Sequence, residues 1–273
     1  MSMKSVRQLP EILRSPFCIE SSDISMIALL VAVSRSYGFC KIGTTSNWRR
    51  IRQGNQSASA QSFLIAMNET RVFYERAFPA ITQLSLDEQE NLFKCYFLKF
   101  LVIDNLYRTR KVWGEIKRYF MGSVESCLDT DHPELWLDEG QGGESRQTLI
   151  NCMNAQVHAQ FEVVVPAMTR AQITAKEFHT ILALVLCDFD SSSELSDRAF
   201  SALDGIRIEV LEDLQRYYKE KMGLQDYSTR LGNLITLNHA VQECISINAE
   251  YATLQMSVFD VYAAEEKIRQ LCL

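Results

Sequence analysis

The residues best suited to catalysis or metal binding are spaced in a way that argues against both. His132, His158, His179 and His239 lie far apart, and each reads as a core or surface histidine rather than a base or a ligand. The eight cysteines, Cys18, Cys40, Cys95, Cys127, Cys152, Cys187, Cys244 and Cys272, form no Cys-x-x-Cys pair and no Cys/His cluster at zinc spacing. Cys187 follows Leu184, Val185 and Leu186, where a reduced thiol serves as a small hydrophobe, and free thiols in this number point to a reducing, intracellular setting. The run Asp188-Phe189-Asp190-Ser191-Ser192 approaches a calcium loop, but Ser193 stands where the turn needs Gly and Ala199 where a bidentate Glu belongs. It reads instead as a connection between helices. There is no Gly-rich phosphate loop, no Gly-x-Ser-x-Gly elbow and no His-Glu-x-x-His, so an enzyme is not expected.

The net charge of −6 excludes a chain that itself grips phosphate backbones, and the longest apolar run, Met26 to Val33, is under half of the ~20 residues that a membrane span needs. Ile12 and Leu13 are flanked by polar residues, so no signal peptide is expected. Apolar residues at 47% and charged residues at 23% suit a packed globular core, while 11 Gly and 5 Pro are too few for the turns of a sandwich or barrel. Helices are therefore expected.

Residues 1–20 read as a linker or hinge-like lead-in, and 21–273 as one domain. Ser21, Ser22 and Asp23 precede a helical pattern at Ile24, Ile27 and Val31, and a polar, irregular stretch runs from Tyr37 to Ser59. A helix is expected from about Ser62 to Pro79, and Ser85 with Glu88 forms a capping box opening the next. Its apolar positions, Leu92, Phe93, Tyr96, Phe97, Phe100 and Leu101, make a stripe wide enough for a buried central helix that runs through Tyr107, ahead of a segment from Trp113 to Phe120. Residues 129–146 read as a mobile acidic loop or hairpin. Further helices are expected over Leu149–Val165, over Ala175–Cys187, and up to Gly223; a last rod of roughly 40 Å runs from Tyr227 to about Gln255.

The stretch Phe78-Pro79-Ala80-Ile81-Thr82-Gln83-Leu84-Ser85-Leu86-Asp87-Glu88-Gln89, continuing to Leu92-Phe93-Lys94, resembles the signature of nuclear hormone receptor ligand-binding domains, in the divergent manner of the nematode receptors. In that family a helix ends at an apolar-Pro step, a Leu-x-Leu-x-x-Gln turn follows, and Leu-Leu-Lys opens the central helix. Glu177-Phe178-His179-Thr180-Ile181-Leu182-Ala183 is similar to the family's Glu-x-x-x-Leu-x-Ala helix, and Arg230-Leu231-Gly232-Asn233-Leu234-Ile235 to the start of its dimerisation helix. The resemblance implies an all-α fold, a three-layer antiparallel helical sandwich of about 10–12 helices with room for a small β-hairpin.

It also implies a function in the nucleus: binding a small lipophilic ligand, docking a coactivator or corepressor helix, and forming homo- or heterodimers through residues 227–255. No cofactor is implied, DNA is contacted only through a zinc-finger domain that these residues lack, and no membrane is involved. Phe63, Leu64, Met67, Leu98 and Leu101 become candidate ligand-cavity residues, although plain core residues would look the same. Arg108 falls near where some members hold a ligand carboxylate, a task that suits a guanidinium and suggests a fatty-acid-like ligand. Val72, Arg76, Phe93 and Lys94 map to the coregulator groove, where Arg76 would meet the carbonyl end of a guest helix. Glu177 and Arg230 form a candidate buried ion pair. The activation helix departs from the family's pattern, with Gln270 where Glu is expected, so constitutive or repressive action stays open. The alternative is a ligand-free helical adaptor with the groove and no cavity.

Overall fold

The computed structural model describes residues 25–36, 51–114, 116, 118–122, 126–139, 143–188 and 195–258. Among them are the helices α1 (Met26–Ser36), α2 (Gln56–Ala77), α3 (Leu86–Trp113), α4 (Arg146–Ala171), α5 (Ala175–Leu184), α6 (Asp197–Arg216) and α7 (Ser228–Val258), with the short strands β1 (Arg52–Gln53), β2 (Tyr119–Met121) and β3 (Ser126–Asp129). The fold is an all-α helical sandwich with a small sheet, as expected, though the described residues hold seven α-helices rather than ten to twelve. The lead-in, the Ser21–Asp23 cap and the activation helix with Gln270 lie outside the described residues.

The turn between α2 and α3 is built from local chemistry. Ser85 accepts the Glu88 N–H and Glu88 accepts the Ser85 N–H, so the capping box satisfies two of the orphan donors at the start of α3. Gln89 then donates from one amide nitrogen to the carbonyls of Thr82, at 3.3 Å, and Leu84, at 2.8 Å, which fastens the turn to the helix it introduces. Beyond the turn α2 packs across α3: Phe63 meets Phe97, Tyr74 meets Phe93 and Phe78 meets Tyr96, so rings spread along α2 converge on one stretch of α3. Helix α3 runs on unbroken to Trp113, and its buried residues point to every side, from Leu92 and Phe93 to Ile103, Leu106 and Tyr107. It is covered by α2, α4, α5 and α7.

Several boundaries move for tertiary reasons. Helix α2 begins at Gln56, ahead of the expected Ser62, because the Ser57 N–H and hydroxyl are both capped by Asp138, 81 residues away. Helix α4 continues past Val165 through Pro166 to Ala171. The lost hydrogen bond and ring clash cost about 3 kcal/mol, which the burial of Val164, Val165 and Met168 at about 1.5–3 kcal/mol each offsets. The expected hairpin lies earlier than 129–146: β2 and β3 pair antiparallel, and β1 joins β3 in parallel to complete the sheet. Residues Pro133–Trp136 form a 3-10 turn rather than a loose loop, and Leu137 packs with Leu149, Ile150 and Met153. Beyond α6 the chain makes one π-helical turn, Tyr217–Lys221, and stops at Gly223, whose φ of 66° only glycine adopts without strain.

Replacing Ser85 by Ala should cost about 1 kcal/mol and lower the thermal midpoint by about 2–4 °C. Calorimetry checks this; an unchanged midpoint would show that the tertiary contacts of α3 hold the turn without the cap.

Candidate functional site

Helices α2, α3, α4 and α7 and the hairpin line a partly open cavity of about 560 Å³, within the range of small-molecule sites. Its apolar wall includes Phe63 from α2, Leu98, Leu101 and Val102 from α3, Phe120 and Leu128 from the hairpin, and Ile245 and Met256 from α7. At one side α3 presents Asp104 and Arg108, one helical turn apart and both buried. The Arg108 Nε donates to Asp104 Oδ2 at 2.5 Å, while Asp104 Oδ1 and Arg108 Nη1 have no hydrogen-bond partner in the chain. Glu69, half-buried on α2, lines the same side. Burial raises the Glu69 carboxyl, with Arg108 opposing and Asp104 adding to the rise; burial likewise raises Asp104 against the pull of Arg108.

Elsewhere the wall is a seam of amides that ties α4 to α7. Gln156 and Gln160 each donate to Asn248 Oδ1 at 2.7 Å, and Gln255 donates to Gln156 Oε1 at 2.9 Å. Asn248 in turn donates to the Cys244 carbonyl, which fixes its orientation, and Gln160 Oε1 has no partner. Among the described residues no group of three or more His, Cys, Asp or Glu side chains is placed to hold a metal.

Away from the cavity, Glu177 is 1% exposed and accepts from four directions. Arg230 binds it bidentately, Nε to Oε1 at 2.6 Å and Nη2 to Oε2 at 2.7 Å; Tyr218 donates its hydroxyl at 2.7 Å, and the Thr174 N–H completes a capping box at the start of α5. Burial alone would raise the carboxyl, but these donors outweigh it and hold Glu177 below its ordinary value. Arg230 also donates to the Gln172 carbonyl, so one guanidinium joins α7 to the end of α4 and the start of α5.

The family model described as the ligand-binding domain of nuclear hormone receptor matches residues 45–255. This chain belongs to that family. It is 22% identical over 229 residues to nuclear hormone receptor family member nhr-53 of Caenorhabditis elegans, covering 80% of this chain and 61% of that protein. With nhr-28 of the same nematode it shares 25% over 202 residues, 72% of this chain and 44% of the relative, and with nhr-199 23% over 238 residues, 80% and 56%. The chain thus spans roughly half of the length of the curated relatives that it matches.

In this receptor domain Phe63, Leu98, Leu101 and Arg108 line the cavity, whereas Leu64 and Met67 do not. Phe63, Ala66 and Glu69 share one stripe of α2, while Leu64 packs against Ala60 and Met256, and Met67 against the main core. Phe93 is fully buried, with the Arg71 guanidinium 4.0 Å above its ring. Val72 and Lys94 are half-buried and Arg76 is exposed in the last turn of α2. Sequence reasoning missed Asp104, Glu69, Tyr218 and the amide seam; the i, i+4 spacing of Asp104 and Arg108 and the Thr174-x-x-Glu177 box were the available signals.

The variant Arg230→Met should lose about 3–5 kcal/mol in urea unfolding, because it strands a buried carboxylate. Adding Glu177→Gln should restore part of that loss, since a neutral amide still accepts from Tyr218; strictly additive losses would mean that the two side chains are not coupled. Because the folded Glu177 lies below its ordinary 4.5, its contribution is complete above that pH and disappears as pH falls through the folded value. Glu177→Gln should therefore flatten the acid limb of the stability curve.

Proposed function

We propose that this chain is the ligand-binding, transcription-regulating domain of a nuclear receptor, acting in the nucleus, with DNA contacted by another part of the receptor. The cavity carries the reading: about 560 Å³ of largely apolar wall, with Arg108 and a few other polar residues in its lining, suits a small lipophilic ligand. A plain structural core would be expected to close over such a volume, because each unfilled space forfeits dispersion contacts.

A coregulator helix would dock near the α2–α3 turn, with Val72 as part of its apolar floor and Arg76 and Lys94 facing its carbonyl end. Phe93 contributes from beneath, through Arg71. Dimerisation would use the outer face of α7, which buries Leu234, Leu237 and Val241 yet leaves Ile235 60% exposed.

Native mass spectrometry of protein purified from cells should show an added lipid-sized mass, and Leu101→Trp, which fills the cavity, should abolish it. Protein that never carries such a mass would leave the ligand-free adaptor as the better reading. A helical Leu-x-x-Leu-Leu peptide should bind the domain, with Arg76→Glu weakening it about tenfold in fluorescence anisotropy; equal affinity for the two proteins would place the docking surface elsewhere.

A further inference from the structure

We propose that Arg71 covers the guest-helix site between α2 and α3 and sets its choice of partner: a helix that carries a carboxylate beside its apolar stripe rather than one that is apolar alone. The inference rests on the reading above that a coregulator helix docks near the α2–α3 turn. Its first support is the order of the layers. Phe93 is fully buried, Tyr74 and Phe97 pack against its ring, and the Arg71 guanidinium lies 4.0 Å over it. The Arg71 side chain is itself 36% exposed, so it forms the layer between that ring and water.

The second support is what holds the cover. Arg71 Nη2 donates to Glu90 Oε2 at 2.7 Å, from α2 to α3, and the Glu90 side chain is 45% exposed. Leu86, Glu90 and Phe93 stand at i, i+4 and i+7 on one face of α3, so an acid interrupts the apolar row and keeps the guanidinium over the ring. An exposed ion pair and an exposed cation–π contact are both weak, which makes the cover displaceable. Leu86 is 81% exposed and Val72, next to Arg71, is half-buried, so the apolar stripe of a guest has a surface to rest on.

The third support is what Arg71 leaves open. Among the described residues, its Nε and Nη1 donate to no atom of the chain. A guest helix that is apolar throughout would push the guanidinium off Phe93 and away from Glu90, with no new bond in return. A guest carboxylate would instead accept from the open donors and leave the cover in place, with apolar guest residues resting on Leu86, Val72 and the plane of the guanidinium.

A helical Leu-x-x-Leu-Leu peptide, a panel in which each residue outside the leucines is glutamate in turn, and a matching lysine panel separate the outcomes when titrated against the whole chain by fluorescence anisotropy. The best glutamate peptide should bind the wild-type protein about tenfold more tightly than the parent peptide, and no lysine peptide should do so. Arg71→Met, which keeps an apolar stem over Phe93 and removes the donors, should abolish the glutamate preference. Arg71→Ala, which bares the ring at a part-exposed position where folding is retained, should abolish the preference and bind the parent about tenfold more tightly than the wild type does. Should no glutamate peptide exceed the parent, should a lysine peptide bind best, or should both variants keep the wild-type order and affinities, the inference is wrong and the coregulator site stands. If no peptide binds either the wild type or Arg71→Ala, the inference and the docking reading fall together.

Discussion

A helix with buried side chains on every face can exist only where neighbours cover it all round, and α3 imposes that condition on the whole domain. Leu92, Phe93, Tyr96, Phe97, Phe100, Ile103, Leu106 and Tyr107 cannot be sheltered by one partner, so α2, α4, α5 and α7 must surround them. Aromatic rings do much of the covering from α2, edge to face, and concentrate it on Phe93, Tyr96 and Phe97. Once α3 is enclosed, its polar residues are enclosed with it. Asp104 and Arg108 are inside because the helix that carries them is inside.

The domain treats its buried charges in two different ways. Glu177 is saturated: bidentate Arg230, the Tyr218 hydroxyl and a backbone N–H occupy its oxygens, and its partners come from α7, the π turn and the connection before α5. That arrangement fixes register and offers nothing to a ligand. Asp104 and Arg108 satisfy only each other, and each retains an unpartnered atom on a residue of the cavity wall. The same contrast separates the amide seam, closed except at Gln160 Oε1, from the polar side that α3 supplies.

Much of the helical framework was legible because it rests on local rules. The capping box at Ser85 and Glu88, the stop at Pro79 and the terminator at Gly223 act over a few residues, so their signals survive in the chain. The beginning of α2 was not legible, since its cap is Asp138 from far along the chain. Nor was the continuation through Pro166, where burial in the core overrides a local penalty. Nor was the setting of Phe93: apolarity at a position does not say whether the ring faces water or, as here, lies beneath Arg71.

For the candidate site, the residues alone determined which side chains could take part: an arginine on the central helix, a glutamate and an arginine in separate motifs, and no metal or catalytic spacing. Only the tertiary structure decided what those side chains do. It buried Arg108 beside Asp104 with Glu69 in the same cavity wall, brought Tyr218 to Glu177, and left Phe63 but not Leu64 or Met67 in the lining. The physical reason is that charge balance, desolvation and cavity walls depend on distances between residues remote in sequence, whereas caps, stops and helical stripes depend on neighbours along the chain.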